Sequence, residues 1–423
     1  MKILHIYTVT CEYAYPSFPA EKITTDAFDE EIMVNTDLEV RYLAGLKELG
    51  EDCILFYPRE YKLPIKEFIH KRGYRIKRFP VTFSLGSVRY PLKMLWHILK
   101  EKPDIIHIHS IYQGGRFFHI RFLNIIALFA KLIRTPVCGW YHIGNFLPAK
   151  HIVRLGKKLP LVRKVDRYFR ELSLNNLDGI TSINNPEMER LFNPQYNEFY
   201  GHKLKTPFRM VTPNTFDSKD FYYYPKQLAK EEVGLNQNVR YIIMVSRLFK
   251  SKGLHDLISA YFELNKRYKD LHLIVVGDYV QGAESYKVEI ENLIKAFNLE
   301  NDISFLGRLE HHQGLLKYIA SADVFVLPTY KESFGAANIE AIACKIPVIS
   351  TNIEEIPYYL KPGLGFTFEP GNIKQLESAL EKVLTGKFIL DDLEYERFLG
   401  KYEYLSSSRK LRDWYREIIQ SKT

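Results

Sequence analysis

The sequence predicts an α/β chain made of two consecutive doubly wound domains, each a mostly parallel sheet covered by helices. Three observations carry this. The chain has 423 residues, too many for one ordinary domain. Short apolar runs alternate with amphipathic stretches of helical period along its whole length, the signature of βαβ units. The rhythm breaks between Pro213 and Asn236, where Pro, Asn, Asp and a tyrosine run interrupt it, and then restarts.

In the first half, strands are expected at Ile3–Thr8, Cys53–Tyr57, Arg75–Phe79, Ile105–His109, Val137–Tyr141 and Gly179–Ile183. Helices are expected at Leu38–Leu49, Pro91–Lys100 and Arg116–Ile133. In the second half, the strands are Tyr241–Val245, His272–Val276, Ile303–Leu306, Val324–Leu327 and Val348–Ser350. The helices there are Leu254–Arg267, Tyr286–Ala296, Ala336–Ala343 and Ile373–Leu384. Ser406–Ile419 reads as one more helix, capped by one of Ser406–Ser408. The domains are therefore 1–214 and 215–405, both Rossmann-like, with a helix at 406–423 returning to the first. Ligands of such sheets sit beyond the carboxyl ends of the strands, so the natural site is a cleft between two domains that face each other.

Composition narrows the class. The chain is 46% hydrophobic and 26% charged, which excludes wholesale disorder and fibrous proteins. Cys11, Cys53, Cys138 and Cys344 lie far apart with no CxxC pair, so neither a zinc site nor a disulfide framework is expected, and the compartment reads as reducing. The apolar run Ile3–Tyr7 is too short for a signal peptide, and Phe122–Ile133 is interrupted by Asn124 and Lys131. A cytoplasmic chain follows, or one held peripherally at the cytoplasmic face of a membrane. The net charge of +9 is uneven: residues 1–214 carry +11 and residues 215–423 carry −2. Residues 61–170 alone hold 23 basic and 4 acidic residues. That field suits an anionic membrane surface or a polyanion; no nucleic-acid reading module accompanies it, so no nucleic-acid partner is expected.

Two segments carry chemistry. In Val245-Ser-Arg247-Leu-Phe-Lys250-Ser-Lys252-Gly253, a strand ends and a helix opens. Arg247 and Lys252 near a helix N-terminus suit a diphosphate, because free amides and formal charge act together there. Basic residues in βα loops are common surface features, so this segment alone is weak. In Leu327-Pro-Thr-Tyr-Lys-Glu332-Ser333-Phe334-Gly335, a loop carries Glu332 into a helix holding Glu340. Glu340 lies five residues into that helix, about 7.5 Å along its axis. The amides at Phe334–Ala336 thus lie between two carboxylates, which fits a sugar nucleotide as well as it fits two surface glutamates.

Together the segments resemble the retaining GT-B glycosyltransferases of family 4, the group 1 glycosyltransferases. Glu332 and Glu340 are separated by seven residues within E-S-F-G-x-x-x-x-E-A, and Arg-x4-Lys-Gly matches at Arg247, Lys252 and Gly253. Gly277-Asp278, Phe305-Leu-Gly307-Arg308, the run Ala322–Pro328 and Phe368-Glu-Pro-Gly371 fall in family order. In the first half, Lys102–His109 and Pro136–His142 look like the two strand ends that line the cleft, and Val211–Asp217 like the entry to the second domain. The resemblance implies a nucleotide-sugar-dependent hexosyltransferase acting with retention, on a glycan, lipid-linked sugar or small molecule. It makes 1–214 the acceptor side and 215–405 the donor side. By it, Arg247 and Lys252 neutralise the leaving diphosphate, Glu332 holds the hexose and Glu340 the ribose. Ser333, Phe334, Gly335, Gly307 and Arg308 complete the donor site, and His142 reaches the donor sugar. Neither a metal nor any other cofactor is implied. The alternatives are a nucleotide-sugar 2-epimerase of the same fold and a non-catalytic, membrane-associated binding subunit.

The chain departs from the pattern in three places. The family's Gly-Gly loop after the first strand is replaced by Thr8–Pro16 and a long segment to about Asn35. Residues 12–31 hold six acids (Glu12, Glu21, Asp26, Asp29, Glu30, Glu31) and one base, Lys22, and are expected to form an acceptor-side lid. Lys345 stands where Gly is usual, and Glu354-Glu355 where a Gly pair is.

Overall fold

In the computed structural model, residues 1–7, 25–26, 29–34, 41–59, 63–85, 88–109, 122–141, 168, 172, 174–192, 205–309 and 314–422 are described. The chain divides into two units: Met1–Pro213 with Leu405–Thr423, and Asn214–Tyr404.

Unit 1 is built on an eight-stranded sheet in the order β10-β9-β8-β7-β1-β2-β4-β3. Its strands are β1 (Lys2–Tyr7), β2 (Asp52–Arg59), β3 (Lys66–Ile69), β4 (Arg75–Pro80), β7 (Ile105–His109), β8 (Val137–Tyr141), β9 (Gly179–Ser182) and β10 (Phe208–Val211). All pair in parallel except β3, which runs antiparallel to β4 at the edge. β5 (Phe83–Leu85) and β6 (Val88–Tyr90) form a separate hairpin. Alternation along the strands builds two cores. Leu4, Ile6, Ile54, Phe56, Ile106 and Ile108 face α2 (Lys93–Glu101), α3 (Phe122–Leu132) and α4 (Asn185–Phe192). Ile3, Leu55, Tyr57, Ile105 and Trp140 face α1 (Arg41–Glu48) and α13 (Tyr404–Gln420).

Helix α13 is bound to unit 1 by both packing and charge. Leu411, Trp414, Tyr415 and Ile418 enter the second core. Arg416 meets the buried Glu51 at 2.9 Å, and Glu51 also takes the N-terminal ammonium at 2.8 Å. The serines expected to cap this helix lie inside it: it begins at Tyr404, and Ser408, fully buried, donates to the Tyr42 carbonyl at 3.4 Å. Burial against α1, rather than a cap, explains that serine.

Unit 2 is a six-stranded, wholly parallel sheet in the order β13-β12-β11-β14-β15-β16. Its strands are β11 (Arg240–Val245), β12 (Leu271–Val276), β13 (Ile303–Phe305), β14 (Val324–Leu327), β15 (Val348–Thr351) and β16 (Gly365–Phe368). The helices are α5 (Lys226–Glu232), α6 (Leu254–Asn265), α7 (Glu284–Ala296), α8 (Leu315–Ser321), α9 (Ala336–Ala343), α10 (Ile356–Tyr359), α11 (Ile373–Leu384) and α12 (Asp392–Tyr402). The chain steps outward from β11 through β12 to β13, then returns to β14 beside β11 and steps the other way. The strand order therefore reverses between β11 and β14, and the carboxyl ends of those two strands are where sheets of this kind take their ligands.

Three buried histidines sit at the matching reversal of unit 1, on β1 and β7. His5 Nδ1 lies 2.6 Å from His109 Nε2, the Tyr415 hydroxyl joins His107 Nδ1, and it stands 3.4 Å from His5 Nε2. Burial pushes the His5 imidazole down to about 3, against 6.5 for the unfolded chain. Between those values the unfolded chain binds more protons. Stability is complete above about 6.5 and falls as the pH drops towards 3. A melting series run downwards from neutral pH is expected to show this loss, and His5→Asn to flatten the slope. An unchanged slope in the variant would place the acid sensitivity elsewhere.

Candidate active site

The crevice of unit 2 is built by two loops in contact through their backbones. The loop after β11 runs from Ser246 through a 3-10 turn at Lys250–Lys252 into α6; the loop after β14 runs from Pro328 to Gly335 and into α9. The Ser251 carbonyl accepts from the Tyr330 N–H at 2.8 Å and from the Thr329 hydroxyl at 3.1 Å. Gly253 has φ +73°, and a Cβ on it would stand 1.9 Å from the Pro328 carbonyl oxygen. Only glycine allows that approach.

This contact brings Lys252 to Glu332, eighty residues away along the chain: Nζ to Oε2 is 2.6 Å, with side chains 12% and 16% exposed. Arg247 is exposed on the same loop, with its guanidinium 5.8 Å from the Phe249 ring that also lies 5.8 Å from Lys252 Nζ. A cation and a carboxylate with partly open faces thus share one crevice. Arg247, Lys252 and Glu332, expected to act together, arise from the same two loops.

Gly335 precedes the first turn of α9 with φ +81°, in the left-handed region. Behind it is a buried polar brace that the sequence reading missed. The Tyr359 hydroxyl donates to the Phe334 carbonyl at 2.8 Å and accepts from Asn338 Nδ2 at 2.8 Å. Asn338 Nδ2 also reaches Ser350 Oγ at 3.1 Å, and Ser350 donates to the Leu327 carbonyl at 2.8 Å. Burial holds the Tyr359 hydroxyl well above its ordinary value, so it stays a proton donor. Phe334 is buried in this packing, stacked on the Tyr359 ring, and Ser333 donates its N–H to Glu332 Oε1 at 3.1 Å. Phe334 can therefore offer a ligand backbone only. The one sequence signal for the brace is an Asn one turn into α9 and a Tyr after β15, which reads as nothing without the fold.

The remaining expected residues fall as follows. Glu340 is on α9 and buried. Gly307 and exposed Arg308 follow β13; the Gly307 carbonyl accepts from the Gly277 N–H at 2.7 Å, which ties that loop to the one after β12. His142 lies outside the described residues, directly after β8. Lys345 takes φ +62°, the conformation that favours glycine, and its ammonium meets Asp392 at 2.8 Å between the rings of Tyr223 and Tyr395. These contacts explain how a lysine is tolerated there.

The acidic segment is only partly described, and the described part is tied to the sheet of unit 1. Asp29 is fully buried and accepts from the Tyr57 hydroxyl at 2.7 Å, Arg59 at 2.7 Å and Arg78 at 2.5 Å. Asp26 takes Arg78 and Lys66, each at 2.6 Å. These bonds tie the stretch to β2 and β4, and deleting one partner of such a buried pair costs about 3–5 kcal/mol. Residues 12–24, 27, 28 and 35 of that segment lie outside the described residues.

Residues 225–404 match the family described as glycosyl transferases group 1. The chain is 29% identical over 326 residues to N-acetyl-alpha-D-glucosaminyl L-malate synthase of Bacillus anthracis, covering 76% of this chain and 73% of that protein. It is 30% identical over 300 residues to a human phosphatidylinositol N-acetylglucosaminyltransferase polypeptide, covering 70% of this chain and 53% of that one. The chain thus spans about half the length of the human protein. Among solved structures, Anabaena Alr3699/HepE in complex with UDP superposes with a TM-score of 0.64 at 16% identity, covering 98% of this chain and 99% of that one. The fold is GT-B, with two Rossmann-like domains. Residues 225–404 thus match a domain of the group 1 glycosyl transferases, a family named for glycosyl transfer.

Tyr359→Phe removes one donor and one acceptor from the brace behind Gly335. Unsatisfied buried groups cost about 1–3 kcal/mol, so the variant is expected to melt several degrees lower than the parent. Unchanged melting would show that the brace is not needed.

Proposed function

We propose that this glycosyltransferase moves a hexosyl group from a nucleotide diphosphate sugar to an acceptor hydroxyl with retention at the anomeric carbon. The single observation that carries the reading is the Lys252–Glu332 contact at the strand-order reversal of unit 2. A cation there offsets charge that builds on a departing diphosphate, and a carboxylate beside it orients sugar hydroxyls. Donor binding would replace their mutual ion pair with Lys252–phosphate and Glu332–hydroxyl bonds. Arg247 adds a second cation, the amides around Gly335 add donors, and Glu340 takes the ribose. In the reaction the bond between C1 and the diphosphate oxygen breaks and a bond from the acceptor oxygen to C1 forms. The acceptor proton passes to the leaving phosphate. Retention rests on the resemblance of the Glu332-x7-Glu340 pattern to retaining enzymes, and His142 is assigned to the donor sugar on the same ground. No metal is required, because Arg247 and Lys252 supply the charge.

The donor we favour is UDP-N-acetylglucosamine. Both curated relatives above are named for N-acetylglucosaminyl transfer, and the Anabaena structure holds UDP. Melting shifts across UDP-, GDP- and ADP-sugars test this: a ligand at a hundred times its Kd stabilises by about 2.7 kcal/mol. A clear response to a GDP- or ADP-sugar alone would overturn the choice of nucleotide.

Glu332→Ala and Lys252→Ala are each expected to lower transfer by about 100-fold or more while the protein stays folded. Near-parental turnover in either variant would sink the site. Transfer is expected to persist in excess EDTA; loss that Mn²⁺ restores would refute the metal-free step.

A further inference from the structure

We propose that the outward face of α2 and α3 in unit 1 docks on an anionic bilayer surface. This goes beyond the glycosyl-transfer reading and does not depend on it. Both helices pack on the same face of the sheet: Met94 and Ile98 of α2, and Phe122, Ile126, Ala127 and Ala130 of α3, enter one core. What they turn outward is therefore presented on the same side.

That outward surface is unusually apolar. At 100° per residue, Leu92, Trp96 and Leu99 fall in one stripe along α2, away from Met94 and Ile98. Trp96 is 60% exposed. On α3, Leu128 and Leu132 are one turn apart and 57% and 80% exposed, opposite the buried Ile126 and Ala130. These side chains have no structural need to be large and apolar, and lone exposed leucines do not explain two aligned stripes. Tryptophan beside leucine is the composition that settles at the headgroup boundary.

The exposed charged side chains of the two helices are all basic, and more basic residues follow them. Lys93, Lys100, Lys102, Lys131 and Arg134 are exposed on or beside these helices. Lys100 lies over the Trp96 ring at 5.5 Å, and Lys131 donates to the Asn176 amide oxygen at 2.7 Å. None of the five pairs with a carboxylate among the described residues. Within α2 and α3 the one acid is Glu101, and its carboxylate is held by Arg75 at 2.9 Å and Lys2 at 3.5 Å. Cations without a carboxylate partner among the described residues, flanking exposed Trp and Leu, match lipid phosphates above an acyl boundary. A nucleic acid would use the cations and leave the leucines without a role.

The test is co-sedimentation of the full chain, without nucleotide, with vesicles of phosphatidylcholine alone or of equal phosphatidylcholine and phosphatidylglycerol. Binding to the anionic vesicles is expected to exceed binding to the neutral ones by about tenfold or more. Each lysine near the surface contributes about fivefold, so Lys93→Gln with Lys100→Gln is expected to weaken binding by roughly 20-fold. Trp96→Ser with Leu132→Ser is expected to weaken it about tenfold, and Lys374→Gln in unit 2 to leave it unchanged. All are surface changes, and an unaltered melting temperature confirms that each variant is folded. Absence of binding by the folded parent, or equal binding by the parent and both double variants, overturns the proposal. So does RNA binding that Trp96→Ser and Leu132→Ser leave intact, or self-association that they abolish without any vesicle binding. A failed vesicle result leaves the nucleotide-sugar melting shifts untouched, so the two readings fail separately.

Discussion

The close approach of the loops after β11 and β14 is the constraint on which the site depends. Ser251 is held to Thr329 and Tyr330 by two hydrogen bonds, and Gly253 lies where any side chain would strike the Pro328 carbonyl. Because β11 and β14 are neighbours, their loops emerge side by side, and the glycine lets them touch. Lys252 and Glu332 meet as a consequence. Substituting Gly253 would separate the loops before it altered any charged group.

The support behind this contact is polar rather than apolar. Tyr330 donates to Asp256 at 2.7 Å and stacks on His255, which anchors the second loop to the first turns of α6. Tyr359, Asn338 and Ser350 fix the other end against β14 and β15. A buried network of this kind holds backbone groups in place with less freedom than hydrocarbon packing allows, because each bond has a direction. That suits a crevice where amides and carboxylates must keep their spacing while a ligand is bound.

The two units solve the same topological problem with different chemistry. In unit 2 the strand-order reversal carries open charged groups. In unit 1 the strands at the reversal bear His5, His107 and His109, buried and bonded to Tyr415 of the last helix. The C-terminal segment is thus part of the core of the N-terminal unit, tied there by Trp414, Tyr415 and the Arg416–Glu51 pair.

Much was legible in the sequence. The inner parallel strands of both units could be read because a strand buried on both faces must be a short apolar run, and such runs stand out between amphipathic helices; the parallel edge strands Phe208–Val211 and Gly365–Phe368 were not expected. The candidates Arg247, Lys252, Glu332 and Glu340 came from two segments that are weak one by one and that together resemble the group 1 glycosyltransferases. The edge strand Lys66–Ile69 was not, since a half-exposed strand with charges has no apolar run to show. Nor were the place of Ser406–Ser408 inside a helix, the fixing of Asp29 by Arg59 and Arg78, or the brace at Tyr359. Each depends on groups far apart in the chain becoming neighbours. By itself the sequence determined the buried inner strands, the most amphipathic helices and which residues carry charge into the loops. Which of those residues meet was decided by the order of strands in the sheet, because only that order sets which loops lie side by side.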